Sequence, residues 1–454
     1  MDKQTISQDV IRDRFSKAMS QMYQQEVPQY GTLLQIVKET NTDYLSKHPD
    51  TFAEHQQGSE LNRLDVERHG AIRLGTASEL ATMKDLFAVM GMSPVGYYDL
   101  SAAGVPVHST AFRPITEQAL LINPFRVFTS LLRLELIDNS DLREKARKIL
   151  EARDIFSPRV RELIALSEQQ NGLTDGQADE FVSEALKTFR WHSDALVSLD
   201  SYNALLEHHR LIADVVSFKG PHINHLTPRT LDIDQVQRIM PQFGITPKEV
   251  IEGPPLRHVP ILLRQTSFKA LSERITFTDS EEGKHTARFG EIEQRGLALT
   301  PEGRALYDQL LLRASASDTS NNNDQHQQHF AHAFAAFPDD IESLRQQKLG
   351  YFRYTLKNGA KLPADQNIPA HLDSLIKQGL VLVTPIIYED FLPVSAAGIF
   401  QSNLGSEKSH VSSGNPNRSA FETALGREVI DEFSLYAEIE ATSLNQLFAE
   451  SAQS

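Results

Sequence analysis

Cysteine is absent from all 454 residues. Disulfides, iron–sulfur clusters, thiolate zinc sites and cysteine nucleophiles are thereby excluded, and any metal must be held by histidine and carboxylate. Long apolar runs are missing too. Nothing approaches the roughly 20 residues of a membrane helix, and the N-terminal MDKQTISQDV lacks a basic-then-apolar signal pattern. A cytoplasmic protein with no membrane partner is expected. Basic charge is in deficit, with 45 Lys and Arg against 60 Asp and Glu and a net charge of −15. That argues against nucleic acid as a partner, which needs a basic surface. It leaves room for an anionic small substrate, because one placed arginine outweighs a distant, screened field. Tryptophan occurs once, at Trp191, and reads as core. The remaining composition, 40% hydrophobic and 23% charged, is that of a globular chain long enough for two or three domain-sized units. Nothing in it sets an oligomeric state.

What is present is organised around Arg68-His69-Gly70-Ala71-Ile72-Arg73-Leu74-Gly75. On a strand, His69, Ala71 and Arg73 share one face while Ile72 and Leu74 share the other. The imidazole and the guanidinium then lie about 13 Å apart at roughly 3.3 Å per residue. A metal at His69 and a carboxylate at Arg73 would be the two ends of one elongated dicarboxylate. On a helix the same pair would sit roughly 6 Å apart, one turn on. The Ile-x-Leu alternation and the flanking glycines favour the strand.

Before this stretch, Ile11, Phe15, Met19 and Met22 recur at helical spacing, and a second amphipathic pattern follows Pro28. After it, a helix is expected from about Ser78 to Met90, stopped by Gly91 in a left-handed cap, then a strand from Pro94 to Leu100. Residues 135–212 are helical and charge-rich, with Ser140 as a candidate N-cap. His225 and Arg229 then repeat the spacing of His69 and Arg73. Each pair precedes an amphipathic helix (here about Asp234 to Met240) and a Gly-apolar stop, Gly91-Met92 or Gly244-Ile245. Ser101-Ala-Ala-Gly104 is echoed at Ser395-Ala-Ala-Gly398. Such repetition suggests a pseudo-symmetric sheet closing on one site. The polar run 314–332 and the stretch Gly405 to Ser419 read as loops, and Ala420 to Phe448 as one closing helix.

Phe289-Gly290-Glu291-Ile292-Glu293-Gln294-Arg295-Gly296 adds carboxylates. Two like charges on one strand face cannot both be buried unpaired, so a cation or an arginine is implied. With His69 and His225 they make a two-histidine, one-carboxylate set. That set holds three adjacent corners of octahedral iron(II) and leaves room for a chelating substrate and dioxygen. Zinc would take the same ligands in a tetrahedral site, so ligand identity leaves the metal open. His222 reads as structural or supporting, His108 and Ser109 as pocket residues at most, and Arg229 as pairing with a carboxylate or a substrate.

The segments RHGAIRLGT, YYDLSAAGVPVHSTAFRP, FKGPHINHLTPRTLDI, ARFGEIEQRG and FLPVSAAGIFQSNL together closely resemble the 2-oxoadipate dioxygenase/decarboxylases, or 2-hydroxyglutarate synthases. The resemblance runs from the N-terminal helices to beyond residue 400. It implies an α+β fold in which a vicinal-oxygen-chelate-like, curved mixed β-sheet encloses a metal site, with a helical insertion and flanking helices. It implies Fe(II) held by His69, His225 and Glu291, with Glu293 as the alternative carboxylate. It also implies substrate contacts from His69, Arg73, His225 and Val394. The expected reaction takes a 2-oxo dicarboxylate and O2 as its small-molecule partners. Oxidative decarboxylation of 2-oxoadipate and hydroxylation of the shortened chain give 2-hydroxyglutarate and CO2, a step of lysine catabolism.

The organisation expected is N-terminal helices over 1–60 and a first sheet module with His69 and Arg73 over 61–134. A helical insertion over 135–212 and a second sheet module with His225 and Glu291 over 213–312 follow. A polar loop over 313–334 leads to a C-terminal part, 335–454, that completes the site. Two alternatives stay open: a non-oxidative metal-dependent lyase or isomerase on the same scaffold, and a non-enzymatic dicarboxylate-binding protein.

Overall fold

The computed structural model describes residues 4–49, 60–268, 270–320, 322–357, 360, 368–392 and 417–452. The protein is a mixed α+β structure with two compact units. The first comprises Met1–Lys248, Thr266–Glu293 and Phe391–Ile430; the second comprises Glu249–Gln265, Gln294–Asp390 and Asp431–Ser454. Among the described residues no helix is long and apolar enough to cross a membrane.

The first unit opens with strand β1 (Thr5–Ile6), helix α1 (Gln8–Glu26) and helix α2 (Pro28–Lys47). Ser7 caps α1 by accepting from the Val10 backbone N–H, and Pro28 occupies the first turn of α2, where a missing N–H costs nothing. The stripe Ile11, Phe15, Met19 and Met22 is buried as its spacing predicts. It packs in one core with Ile72 and Leu74 from strand β2 (Arg68–Leu74). Ala71, from the opposite face of β2, belongs to a second core with Phe128, Val216 and Phe391. The strand therefore has a hydrophobic core on each face, which resolves the strand-or-helix alternative for this stretch.

The five-stranded sheet runs in the order β3 (Ser93–Asp99), β4 (Val107–Arg113), β5 (Arg126–Leu132), β2, β7 (Leu226–Pro228). Between β2 and β3 lies the helix Ala77–Val89, capped by Thr76 and followed by Gly91 at φ 67°. β2 pairs in parallel with β5, placing His69 opposite Arg126, and antiparallel with β7, placing His69 opposite Thr227. The two histidine segments expected to repeat one another are thus neighbours in one sheet. β6 (Leu173–Thr174) pairs with β1, and β9 (Leu271–Thr276) with β10 (Glu282–Arg288). β8 (Leu263–Ser267) pairs with β11 (Glu291–Arg295), which begins at the first of the two candidate carboxylates. In the second unit β12 (Phe352–Leu356) pairs with β13 (Val381–Pro385), and the helix Glu432–Ala452 docks on β12 through Glu440 and Ser443.

Three local expectations need correction. The polar run 314–332, expected as part of a loop over 313–334, is largely helical: one helix ends at Ser317 and another spans Asn323–Ala333. The Asn322 side chain caps the latter, and His326 and Phe330 bury one face of it, so a thin apolar stripe outweighs the polar composition. The single closing helix is two, Arg418–Leu425 and Glu432–Ala452, because Gly426 adopts φ 76° and ends the first. Asn139 rather than Ser140 caps the helix Ser140–Ala152. The expected loop over 405–419 lies outside the described residues as far as 416.

Close approach of β7 to β2 rests on Gly70. A Cβ there would lie 2.8 Å from the His225 carbonyl oxygen, a backbone atom that cannot swing away. Gly70→Ala is expected to cost about 1–3 kcal/mol by overpacking, and to displace His225 while doing so. Thermal unfolding of the variant checks this; an unchanged midpoint would mean that the strands tolerate the extra methyl.

Candidate metal centre

Three segments of the first unit bring side chains together. His69 is the second residue of β2, His225 immediately precedes β7, and Glu291 begins β11. All three are buried, with one ligand atom from each lying within 4.8 Å of the others. His69 Nε2 is 2.9 Å from Glu291 Oε1, and His225 Nε2 is 3.8 Å from the same oxygen. The Thr227 hydroxyl donates to Glu291 Oε1 at 3.0 Å.

Backbone contacts tie these segments to one another. Asn224 N–H donates to the Ala71 carbonyl of β2 at 3.1 Å, and Phe289 N–H to the Asn224 carbonyl at 3.1 Å. The Tyr23 hydroxyl of α1 lies 2.9 Å from the Asn224 carbonyl and 2.7 Å from that of Phe289. Aromatic rings wall the histidines. Phe391 meets His69 edge-on at 5.0 Å and Phe289 lies 4.8 Å from His225.

Glu293 is on the same strand but meets the other side of the His69 ring. Its Oε2 is 3.1 Å from His69 Nδ1, at ion-pair distance without the alignment of a hydrogen bond. Behind it, Glu67 joins Arg126 in a close ion pair and contacts Arg63 at 3.2 Å and Arg229 at 3.3 Å. Arg126 Nη1 is also 3.8 Å from Glu293 Oε1. Arg229, singled out in the sequence, is thus an ion-pair partner of a buried glutamate.

The charge states follow from burial and neighbours. Burial opposes charging His69, yet Glu293 and Glu291 outweigh it, and the imidazole pKa lies above its ordinary value. Burial pushes Glu291 up against the pull of His69. Burial, with His69 and Arg73 nearby, holds His225 well below its usual range, so this ring is neutral. Among the described residues neither buried ring nitrogen of His225 has a hydrogen-bond partner. An orphaned imidazole lone pair, beside a carboxylate and a second imidazole, is a donor set that fits a divalent cation.

Arg73 shares the His69 face, as the alternation predicts. Its Nη1 donates to Asp214 Oδ2 at 2.7 Å and to Asn224 Oδ1 at 2.9 Å. Asp214, His222 and His285 form a second buried group with metal-ligating atoms. His222 sits 3.3 Å from Asp214 and packs edge-on against Trp191. His108 faces Tyr97 and Phe421, with burial and then Arg133 lowering its pKa to about 4. Ser109 shares a hydrogen bond with Ser130. Val394 lies outside the described residues.

Sequence reasoning missed Asp214, Asn224, His285 and Glu67. Only Asp214 carried a signal, as a single acid inside the apolar run Leu-Ile-Ala-Asp-Val-Val of the helix Arg210–Ser217. Asn224 and His285 acquire their partners from segments dozens of residues away, and Glu67 adds Arg126 and Arg229 from such segments to its neighbour Arg63.

Two buried imidazoles on and beside a mixed sheet, met by a carboxylate from the separate β8–β11 pair, define a protein with a site suited to a divalent metal ion. The chain belongs to the 2-oxoadipate dioxygenase/decarboxylase family, whose model matches residues 15–403. It is 59% identical to the 2-oxoadipate dioxygenase/decarboxylase of Escherichia coli K12 over 97% of this chain and 98% of that protein. The protein of the same name from Pseudomonas putida is 57% identical over 97% of this chain and 96% of its own length. The crystal structure of hydroxyglutarate synthase from Pseudomonas putida in complex with 2-oxoadipate matches with a TM-score of 0.91. Its identity is 56%, and the match covers 99% of each chain.

Proposed function

We propose that this protein is an Fe(II)-dependent dioxygenase and decarboxylase that converts 2-oxoadipate and O2 to 2-hydroxyglutarate and CO2. The observation that carries the reading is the buried His69–His225–Glu291 cluster in a member of this family. Iron(II) held by His69, His225 and Glu291 would supply binding of the 2-oxo acid and dioxygen and the redox capacity for oxidative decarboxylation.

The chain's own contribution is orientation, dryness and charge. His225 offers a neutral nitrogen. His69 turns Nε2 toward Glu291 while Glu293 stands 3.1 Å from Nδ1, where a second carboxylate raises the basicity of a ligating imidazole. This favours Glu291 as the ligand and Glu293 as its support. Phe289 and Phe391 keep water from the histidines, which strengthens every charge interaction there. Arg73 holds the distal carboxylate, so that the chain left after CO2 loss stays in register for hydroxylation. Around the histidines Glu67, Glu291 and Glu293 are set against Arg63, Arg126 and Arg229. A divalent cation then leaves a net charge that a dianionic substrate balances.

Metal analysis after anaerobic loading is the first test. The native chain should hold one iron, His69→Ala, His225→Ala and Glu291→Ala should hold none, and Glu293→Ala should bind it about 10–100-fold more weakly. Loss confined to Glu293→Ala would exchange the two roles.

Gas exchange tests the chemistry. One O2 should be consumed and one CO2 released per 2-oxoadipate, with no added 2-oxoglutarate, because a single substrate is both electron source and target. Turnover under strict anaerobiosis would instead establish a non-oxidative lyase.

Arg73→Ala should keep its iron and lose about 2–5 kcal/mol of interaction with 2-oxoadipate, as when a buried charge pair is truncated. Arg73→Lys should recover only part, since charge returns without the planar fork. Comparing kcat/KM on 2-oxoadipate and on 2-oxohexanoate, whose tail is uncharged, reads this out. Equal losses on both would mean that Arg73 supports the metal or the fold.

A further inference from the structure

The second buried group, Asp214, His222 and His285, has the donor types of a metal site, but its bonding is that of a counter-ion assembly. Asp214 Oδ2 accepts from Arg73 Nη1 at 2.7 Å, so the only carboxylate of the group already faces a fixed positive charge. A cation added beside that guanidinium would meet like-charge repulsion in a buried setting. His285 has both ring nitrogens engaged, Nε2 with Asp214 Oδ1 at 2.9 Å and Nδ1 with the Tyr202 hydroxyl at 2.8 Å. The ring planes are locked in turn. Trp191 stacks on His285 at 6.2 Å and 9°, meets His222 edge-on at 4.7 Å, and has the Arg288 guanidinium carbon 5.2 Å from its ring.

We propose that Asp214, held by the relay His285–Tyr202, is the positioning residue that aims Arg73 at the distal carboxylate of the substrate. The proposal rests on the reading of Arg73 given above. Asp214 lies on the helix Arg210–Ser217, His285 on β10 and Tyr202 on the helix Leu199–His208, so three elements fix the one carboxylate that meets Arg73 Nη1. Asn224 completes the clamp. Its side-chain amide and its backbone N–H both donate to the Ala71 carbonyl at 3.1 Å, while its Oδ1 accepts from Arg73 Nη1 at 2.9 Å. Arg73 Nη1 is therefore held between one acceptor fixed to its own strand and one fixed by the relay. Two fixed acceptors on Nη1 set the plane of the guanidinium, and a bidentate grip on a carboxylate requires a set plane. Asp214 remains ionised in this setting. Burial opposes the charge, but His222, Arg73 and His285 keep its pKa well below the usual carboxylate range.

The test uses the full chain loaded with iron, and the variants Asp214→Asn, His285→Gln and Tyr202→Phe. KM and kcat are measured on 2-oxoadipate and on 2-oxohexanoate, alongside metal content. Asp214→Asn should raise KM for 2-oxoadipate by about tenfold or more, the scale of a hydrogen bond to a charged group. Its effect on 2-oxohexanoate should be several-fold smaller, with iron still at one per chain. His285→Gln should act in the same direction more weakly, and Tyr202→Phe more weakly again; these two decide the matter if Asp214→Asn fails to fold. Equal losses on both substrates would make the cluster merely structural and overturn the proposal. A second metal ion in the native chain, absent from Asp214→Asn, would overturn it in favour of a metal site. If Arg73→Ala discriminates between the substrates but the relay variants do not, only the positioning role falls. If Arg73→Ala does not discriminate, the role of Arg73 and this proposal fall together.

Discussion

Countercharge is the constraint on which the interior of the first unit depends. Glu67, Glu291 and Glu293 are all fully buried, and each ionised carboxylate taken from water costs several kcal/mol unless it is paired. Arg126 joins two of them, pairing with Glu67 and standing 3.8 Å from Glu293. Its register opposite His69 in the parallel β2–β5 pair puts it there. Arg63 and Arg229 approach Glu67 from other segments. Glu291 meets two imidazoles and a hydroxyl, which are weaker compensation than a guanidinium. The proposed cation would replace the proton that Glu291 shares with His69.

Much of this was legible in the sequence because it depends on period. The alternation in Arg68–Leu74 sorts His69 and Arg73 from Ile72 and Leu74, and the two cores on either face of β2 follow it. The stripe of α1 and the stop at Gly91 are equally local. Glu291 and Glu293 are different: two residues apart, they share a face by any strand rule. Only the placement of the His69 ring between them separates one at Nε2 from the other at Nδ1. The polar tract at 314–332 misled for a related reason, since composition cannot reveal that Asn322 caps a helix and Phe330 finds a core. Asp214 could have been suspected, as an acid in an apolar helix needs a partner, but the partner's identity is a tertiary fact.

The proposed function puts the two ends of the site, His69 and Arg73, on one strand, with a physical consequence. A β-strand between two packed cores cannot bend or slide without moving both, so the separation of His69 and Arg73, about 13 Å along the backbone, is set by covalent geometry. Had the stretch been helical, the same residues would stand roughly 6 Å apart, and their spacing would shift with any fraying of the turn. Asn224 extends the rigid frame to the other histidine. It bonds to β2 through Ala71, accepts from Arg73, and is covalently joined to His225. The guanidinium end and the imidazole end are thus referenced to the same two residues of backbone. A site assembled this way loses little ordering entropy when a substrate bridges its ends, because protein freedom was removed on folding. On the proposed reading, discrimination between substrates with and without a distal charge would follow from fixed distance and countercharge together, rather than from either one alone.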